Sequence, residues 1–244
     1  MCYRYSVPGP DVITKTYQVK LAESFRRRYH VGAFENVKLP VITNKDPSQV
    51  QLFKWGLIPY WVKDEKTANE CKDRTVNARS ETIFEKPAFR FSADTQHCLV
   101  IADGFFEWRY YNGKNYPYYI KLKDRDIFSI AGLWDRWVNK DSCEEVFSFT
   151  IITTEANPLM ALIHNKKKRM PAILDKKDEM KWISEKLSKE ETRELLKPYN
   201  EHKMTAYTIS KMITAKDVDV NVPQVLEPFQ YNTLEPLPNQ KSLF

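Results

Sequence analysis

The second residue of the chain is a cysteine, Cys2, which directly follows the initiator methionine. Removal of Met1 would leave an α-amine and a thiol on adjacent carbons, with reference pKa values of about 8 and about 8.5, so both groups are partly available as nucleophiles near neutral pH. Such a 1,2-aminothiol condenses with an aldehyde, because the amine forms a Schiff base and the thiolate then closes a five-membered thiazolidine. A cysteine at this position is sometimes only part of a frayed terminus, so other residues must support the chemistry.

An amide and a guanidinium group lie two residues apart within the polar segment Arg74–Thr82. In an extended segment Asn77 and Arg79 face the same side, because the side chains of a strand alternate between its two faces. This arrangement suits the orientation of a reactive centre and the binding of a phosphate. A polar loop or an edge strand without a chemical role is the alternative for the same pattern.

A carboxyl group flanked by aromatic rings follows the apolar run Cys98–Ala102. Glu107 lies between Phe106 and Trp108, whose rings should desolvate its carboxylate and raise its pKa toward neutrality. The pattern predicts a general acid or base. An exposed glutamate on a half-buried strand is the alternative.

One of the four histidines, His164, stands between apolar residues and a run of cations. An imidazole can transfer protons near neutral pH, and Lys166, Lys167, Lys168 and Arg169 are suited to phosphate contacts. A structural histidine beside a solvated basic surface is the alternative interpretation.

We predict different locations for the two tryptophans of the segment Trp55–Val62. Tryptophans of strand-rich proteins usually fill the core, whereas exposed aromatic rings beside basic groups stack on unpaired nucleobases. We expect Trp55 to lie in the core and Trp61 to lie on the surface as a stacking residue.

Length, charge and cysteine spacing limit the classes of protein to which the chain can belong. Its 244 residues carry 38 basic and 32 acidic side chains, for a net charge of +6, which makes acidic partners electrostatically acceptable. Like the cations after His164, the cluster Arg26–Arg28 is suited to phosphates, although a solvated face is the alternative for either cluster. No stretch approaches the ~18 apolar residues of a membrane span, and the N-terminus lacks the apolar core of a secretory signal.

The four cysteines are widely spaced, and no two of them form a C-x-x-C pair. We therefore expect neither structural zinc nor a disulfide framework, and a reducing cytoplasmic setting fits this composition. The four are Cys2, Cys71, Cys98 and Cys143.

Two helices and a series of strands must position these residues. The apolar side chains Tyr17, Leu21 and Phe25 are spaced by four and predict a helix over residues 15–30. Residues 178–197 predict a second helix, with a break near Ser188. Runs dense in β-branched and aromatic residues predict strands, and Asn112-Gly113 predicts a turn between two of them. These runs are Val37–Thr43, Gln51–Ile58, His97–Ala102, Tyr116–Leu122, Ile127–Leu133 and Val146–Thr153.

The order of the elements favours an α+β fold, because the strands do not alternate regularly with helices. We predict a β-rich, barrel-like core with peripheral helices, organised as a single domain over residues 1–244. The proline-punctuated segment Asp217–Pro228 should wrap the surface.

Five motifs occur in order along the chain, and together they closely resemble the SOS response-associated peptidase (SRAP) family. The resemblance runs from residue 2 to about residue 228. Any one motif is weak, whereas five in order, including a cysteine next to Met1, are highly specific. The motifs are Met1-Cys2-x-Arg4, Trp55-Gly56-Leu57-Ile58-Pro59, Asn77-Ala78-Arg79-Ser80-Glu81-Thr82, Gly104-Phe105-Phe106-Glu107-Trp108, and His164 followed by Arg169-Met170-Pro171.

The resemblance implies a compact SRAP domain that acts on abasic sites in single-stranded DNA, particularly near single-strand/double-strand junctions, without a metal or other cofactor. In that case Cys2 forms a thiazolidine with the ring-opened sugar aldehyde once Met1 has been removed, which shields the lesion from strand cleavage. The peptidase label fits self-removal of Met1, and AP-lyase-like chemistry is compatible with the same residues. The expected protein is a cytoplasmic monomer that joins the nucleoid when DNA is damaged.

The resemblance also implies a role for each candidate residue. Asn77 orients Cys2 or the sugar, and Glu107 and His164 move protons. Trp61 is expected to stack on a base. Phosphate contacts are expected from the basic residues Arg4, Arg79, Lys166, Lys167, Lys168 and Arg169.

Three departures from the family pattern affect the surroundings of the proposed site. Tyr3 stands where glycine is usual, and the segment Tyr29–Phe34 lacks an expected asparagine and proline. Four residues separate His164 from Arg169, where about one is usual. None of these departures removes a proposed catalytic residue.

Two other functions remain open for the sequence. The chain could be a cysteine-dependent peptidase or amidohydrolase that acts on a protein or small molecule, or a basic nucleic-acid-binding module in which Cys2 has no role. Covalent DNA capture is favoured over the former because the nucleophile is terminal and its surroundings are cationic. It is favoured over the latter because phosphate binding does not require Asn77, Glu107 and His164.

Overall fold

The computed structural model describes residues 2–184, 186–216 and 218–237. Strands dominate this part of the chain, with helices between and after them. The strands are β1 (Arg4–Val7), β2 (Lys20–Leu21), β3 (Arg28–Gly32), β4 (Lys38–Thr43), β5 (Gln49–Trp55), β6 (Asn77–Arg79), β7 (His97–Ala102), β8 (Gly104–Tyr111), β9 (Lys114–Leu122), β10 (Phe128–Val138), β11 (Glu145–Glu155), β12 (Arg169–Pro171) and β13 (Met204–Thr208). The α-helices are α1 (Pro10–Tyr17), α2 (Glu65–Arg74), α3 (Arg90–Thr95), α4 (Pro158–Ile163), α5 (Glu179–Ser184) and α6 (Lys189–Leu195).

Five of the strands close into a barrel. Antiparallel pairing joins β11 to β10, β10 to β7, β7 to β4 and β4 to β5. The ring closes where β5 runs parallel to β11, with Trp55 opposite Phe149. Side chains of β7 alternate between two apolar cores: Val100 packs inside the barrel, whereas Leu99 and Ile101 face the helices. These features confirm the predicted α+β fold with a barrel-like core.

A second sheet, in the order β13-β9-β8-β1-β3, packs against the barrel. On one face Tyr5 and Phe105 join the same core as the barrel interior. On the other face Phe106 packs with Ile209 and Ile213. Because side chains alternate along β8, Glu107 lies on the same face as Phe105, where the sheet meets the barrel.

The helix predicted over residues 15–30 is wrong. Helix α1 begins earlier, at Pro10, which is suited to a first helical position because it lacks an N–H. It ends at Tyr17, because Gln18 adopts the left-handed conformation with a φ of 55°. Two strands and a loop occupy the remaining positions through Arg28 and beyond.

The other predicted elements agree more closely with the structure. Each of the six predicted strand runs overlaps a strand, and positive φ angles at Asn112 and Gly113 form the predicted turn. The predicted break at Ser188 separates α5 from α6, and Ser188 caps α6 through a reciprocal pair of hydrogen bonds with Glu191. The segment up to Pro228 is largely exposed around a buried Val225, while Asp217 lies outside the described residues. None of the helices in the described ranges is long and apolar enough to cross a membrane.

Candidate functional site

Cys2 lies just before β1 and is fully buried. Its thiol donates to the carbonyl oxygen of Arg4 at 3.5 Å, and its own carbonyl oxygen accepts a hydrogen bond of 2.9 Å from Nδ2 of Asn77. Burial raises the pKa of the Cys2 thiol to about 12, and the negative charge of Glu107 adds to the effect. The resting group is therefore a neutral thiol, and it needs a base before it can act as a thiolate.

The barrel closure determines the position of Asn77. Strand β6 runs parallel to β11, and Nε1 of Trp55 donates to the carbonyl oxygen of Val76 at 2.7 Å. Gly56 follows with a φ of +115°, and a Cβ atom there would come within 2.5 Å of the Lys72 carbonyl oxygen, so only glycine fits. Asn77 itself is buried, and its Oδ1 has no hydrogen-bond partner among the described residues. This oxygen is available to accept a hydrogen bond from an amine or a sugar hydroxyl.

Glu107 is 4% exposed, and its Oε1 has no hydrogen-bond partner in the described part of the chain. Burial raises the pKa of its carboxyl from 4.5 to about 8. As expected from the flanking aromatic residues, the carboxyl group therefore exchanges a proton near neutral pH, which is the property of a general acid or base.

His164 follows α4, and its Nδ1 lies 3.6 Å from Oε1 of Glu107 and 2.9 Å from the carbonyl oxygen of Arg169. A carbonyl only accepts, so in the neutral ring Nδ1 carries the hydrogen and Nε2 is the basic nitrogen. Burial lowers the pKa of His164 to about 4, and the cations Lys167 and Arg169 contribute. The imidazole is therefore neutral at pH 7.

Asn165 anchors the His164 loop to β8, a role that the sequence analysis did not assign. Its side-chain amide accepts from the backbone N–H of Tyr110 at 3.1 Å and donates to the Tyr110 carbonyl oxygen at 2.8 Å. In this way the amide imitates a strand partner and holds His164 beside Glu107. The adjacency of Asn165 to His164 was the available signal, but its partner is distant in sequence.

The cations after His164 separate into two groups. Lys166, Lys167 and Lys168 are exposed, and Nζ of Lys166 lies 3.5 Å from the centre of the Tyr110 ring. Arg169 instead points inward: its guanidinium forms a two-pronged ion pair with Glu81 and donates to the Thr153 carbonyl oxygen at 2.6 Å. The structure thus leaves the lysines open to a phosphate and uses Arg169 to connect β12 to β11 and the segment after β6.

The remaining candidate residues surround the site. The Arg4 guanidinium lies 5.0 Å from the centre of the Trp108 ring. Arg79 and the 47% exposed Trp61 line a groove of about 520 Å³ that also includes Asn77. Trp55 is buried in the core, as predicted. The groove therefore begins at the residue that holds the Cys2 carbonyl.

Two of the three departures from the family pattern, Tyr3 and the segment that ends at Phe34, lie close to Cys2. The Tyr3 ring stacks on Phe34 at 5.9 Å between ring centres, and the Tyr3 carbonyl oxygen accepts from the backbone N–H of Ala33 at 2.9 Å. Phe34 is 65% exposed. The region adjoining Cys2 is thus aromatic. Within the described ranges, no group of three or more His, Cys, Asp or Glu side chains could hold a metal ion.

Cys2, the Asn77 amide, the Glu107 carboxyl group and the His164 imidazole lie where the barrel meets the second sheet. Together they define a cysteine-centred site. The family model for the SOS response associated peptidase (SRAP) matches residues 1–216, and the chain belongs to this family. Among its relatives, the abasic site processing protein YoqW of Bacillus subtilis is 36% identical over 82% of this chain and 85% of its own length. The abasic site processing protein YoaM of the same organism is 37% identical over 78% of this chain and 81% of its own length. A crystal structure of a protein from Bacteroides thetaiotaomicron superimposes with a TM-score of 0.89 at 40% identity, covering 94% of this chain and all of the other.

Proposed function

We propose that this protein processes abasic sites in single-stranded DNA by capturing the ring-opened sugar aldehyde covalently on Cys2. The observation that carries the proposal is the arrangement around Cys2: Asn77 bonds its carbonyl oxygen at 2.9 Å, and the Glu107 and His164 side chains lie 3.6 Å apart in the same region. Relatives that are 36% and 37% identical carry the name abasic site processing protein, which supports this substrate.

The reaction begins at the α-amine of Cys2 after Met1 has left. The amine attacks the aldehyde carbon, a C–N bond forms, and the proton of the amine passes to the former carbonyl oxygen. Protonated Glu107 then donates to the hydroxyl of this carbinolamine, water leaves, and an iminium ion results. A carboxyl group with a pKa of about 8 is largely protonated at pH 7, as this step requires.

Ring closure follows at the thiol. The Cys2 sulfur attacks the iminium carbon, a C–S bond forms, and the thiol proton passes to Glu107 or to the basic Nε2 of His164. Because burial raises the pKa of this thiol to about 12, such a base must act as the sulfur attacks. The net reaction consumes aldehyde and aminothiol and releases one water molecule.

The alternative function, a cysteine-dependent peptidase or amidohydrolase on an external substrate, fits the site less well. Such enzymes depend on a thiolate that is stabilised by a neighbouring cation. Here burial and Glu107 both raise the pKa of the Cys2 thiol. Peptide cleavage by this chain is therefore proposed only for the bond that follows Met1.

Binding of the DNA strand is assigned to the residues around this centre. The exposed Lys166, Lys167 and Lys168 hold phosphates on one side, and Trp61 stacks on a base in the groove that contains Asn77. The proposed phosphate contacts also include Arg4 and Arg79. Arg169 is proposed to contribute indirectly, because it supports the loop that carries the three lysines. The protein is proposed to act as a monomer in the cytoplasm and to join the nucleoid when DNA is damaged.

A crosslinking assay tests the proposal. Purified protein without Met1 is incubated with a single-stranded oligonucleotide that carries one abasic site and is then separated on a denaturing gel. A shifted band that is stable to heat and detergent is expected, and it should be absent for Cys2→Ala and for protein that retains Met1. The matched control is Cys143→Ala, which removes an exposed cysteine and should crosslink like the wild type. Equal shifts with undamaged DNA, or an undiminished band for Cys2→Ala, would contradict the proposal.

A further inference from the structure

A second basic region lies at the end of β1 opposite Cys2. It is a pocket of about 330 Å³ between the edge strand β3, the loop before it and the barrel strands β4 and β5. Four cations contribute to its walls, and none of the described residues that line it carries a carboxylate. The lining residues are Val7, Ser24, Phe25, Arg26, Arg27, Arg28, Lys38, Leu39, Pro40, Leu52 and Asn221.

The contacts of these cations show which of them can receive a ligand. Arg27 is paired with Asp103 at 2.7 Å, but its buried Nε has no hydrogen-bond partner among the described residues. Within the described ranges, the ion pair of Lys38 is with Glu23, at 3.8 Å. Both groups are more than half exposed, so the pair has little strength. Arg26 is exposed. Arg28 lies 3.8 Å from Glu35. The pocket thus presents two cations with little compensation, Arg26 and Lys38.

Neutral groups complete the pocket. Oδ1 of Asn221 accepts from the backbone N–H of Tyr29 at 2.8 Å, which turns this amide toward the β3 edge. Ser24 adds a hydroxyl group, and Phe25 and Leu39 form an apolar wall. Concentrated cations, hydrogen-bond donors and an apolar wall without carboxylates match the chemistry of a phosphodiester segment.

The position of the pocket relates it to Cys2. Val7, which lines the pocket, ends β1, and this strand begins two residues after Cys2. At ~3.3 Å per residue the two ends of this segment lie at most roughly 16 Å apart, because the strand has a register shift between Tyr5 and Val7. A DNA strand with duplex geometry advances ~3.4 Å per phosphate, so a strand held at Cys2 reaches the pocket within roughly five nucleotides.

We propose that the pocket formed by Arg26, Arg27 and Lys38 binds backbone phosphates of the DNA strand that flanks the captured lesion. This inference rests on the proposed function, since it assigns a second contact to the same DNA. Its consequence is that affinity depends on the length of DNA on one side of the abasic site.

Fluorescence anisotropy with an abasic analogue that cannot open its ring measures binding without crosslinking. Three single strands are compared: a short one with about three nucleotides on each side of the analogue, and two that are extended by about ten nucleotides on one side only. On one of the extended strands, the double variant Arg26→Ala/Lys38→Ala should make log K depend less steeply on log salt. For this variant the magnitude of the slope should decrease by ~1.4, at ~0.7 per lost phosphate contact. Its slope on the short strand and its crosslinking of a short abasic strand should equal those of the wild type.

The matched control is Arg193→Ala/Lys197→Ala, which removes the same charge from two exposed positions, one on α6 and one just after it. Its salt slope should equal that of the wild type on all three strands. An unchanged slope for Arg26→Ala/Lys38→Ala on both extended strands, or an equal decrease for the control, overturns the inference.

A free anion is the other source of the same chemistry, and a thermal-shift measurement with inorganic phosphate separates the two. If Arg26→Ala/Lys38→Ala abolishes stabilisation by phosphate but leaves the DNA salt slopes unchanged, the pocket binds free anions and the DNA assignment is wrong. Failure of the wild type to crosslink abasic DNA would instead contradict the proposed function, and the slopes would still report on the pocket.

Discussion

Replacing Glu107 by glutamine should stabilise the fold and slow the chemistry at the same time. The carboxyl group is 4% exposed, and burial raises its pKa from 4.5 to about 8. The neutral amide has nearly the same shape but does not titrate. The Glu107→Gln variant therefore removes the cost of keeping this group protonated in the folded state while it ionises in the unfolded state.

The sign and size of the effect follow from the two pKa values. Below about pH 4.5 the carboxyl group is protonated in both states, and its titration contributes nothing. Between about pH 4.5 and 8 only the unfolded state ionises, so the free energy of unfolding of the wild type falls by about 1.4 kcal/mol per pH unit relative to Glu107→Gln. The difference reaches roughly 3 kcal/mol at pH 7 and levels off near 5 kcal/mol above pH 8.

Urea unfolding at pH 5 and pH 8 measures this difference, and the abasic-site crosslinking rate measures the chemistry. We expect the stability gap between Glu107→Gln and wild type to widen by about 4 kcal/mol between the two pH values. We expect the crosslinking rate to fall by roughly 10² to 10⁴. The control Glu194→Gln, at an exposed ion pair on α6, should show neither effect. A stability gap that is the same at both pH values would refute the assigned titration, and an unchanged crosslinking rate would refute the acid–base role.

Three further predictions concern neighbouring residues. Asn77→Ala removes the hydrogen bond to the Cys2 carbonyl oxygen, so single-turnover crosslinking should slow while anisotropy shows unchanged affinity for a non-reactive abasic analogue; unchanged crosslinking would contradict its positioning role. Arg169→Ala leaves Glu81 without its ion pair, so urea unfolding should show a loss of about 1–3 kcal/mol; a normal stability with a lower salt slope would instead indicate a direct phosphate contact. Lys166→Ala and Lys167→Ala should each reduce the magnitude of the slope of log K against log salt for single-strand binding by ~0.7, without a change in stability. An unchanged slope would argue against phosphate contact.

The six predicted strand runs were found because β-branched and aromatic residues are dense in them, whereas shorter strands such as β1, β2 and β12 were not predicted. The error at residues 15–30 shows the limit of spacing arguments. Tyr17, Leu21 and Phe25 are all partly buried against the core, as their spacing indicates, but they belong to a helix, a strand and a loop. The spacing of four between these apolar residues therefore reflects three separate elements that pack on the same core, and not one helix.

The candidate site was predictable residue by residue, whereas its assembly was not. The aromatic flanks of Glu107 predicted its burial, and the polar segment around Asn77 predicted an extended strand. The approach of Asn77 to Cys2 depends on the parallel contacts of β11 with β5 and β6, and that of Glu107 depends on the pairing of β8 with β1. These pairings join distant parts of the chain. Arg169 resembled its lysine neighbours in sequence, but it begins strand β12, and pairing with β11 turns it inward.

The complete burial of Cys2 determines when Met1 can be removed by another enzyme. Asn77 bonds the carbonyl oxygen of the cysteine and is held by the pairing of β6 with β11, so this enclosure cannot form until β11, which ends at Glu155, has been synthesised. At roughly 5–20 residues per second, the ribosome needs about 8–31 s to reach that point. During this interval the N-terminus is open to a cellular aminopeptidase, and afterwards the cysteine that follows Met1 is buried. Slowing translation should therefore favour removal of Met1 by the aminopeptidase. When the purified full-length chain that retains Met1 is refolded, only the protein itself can remove Met1.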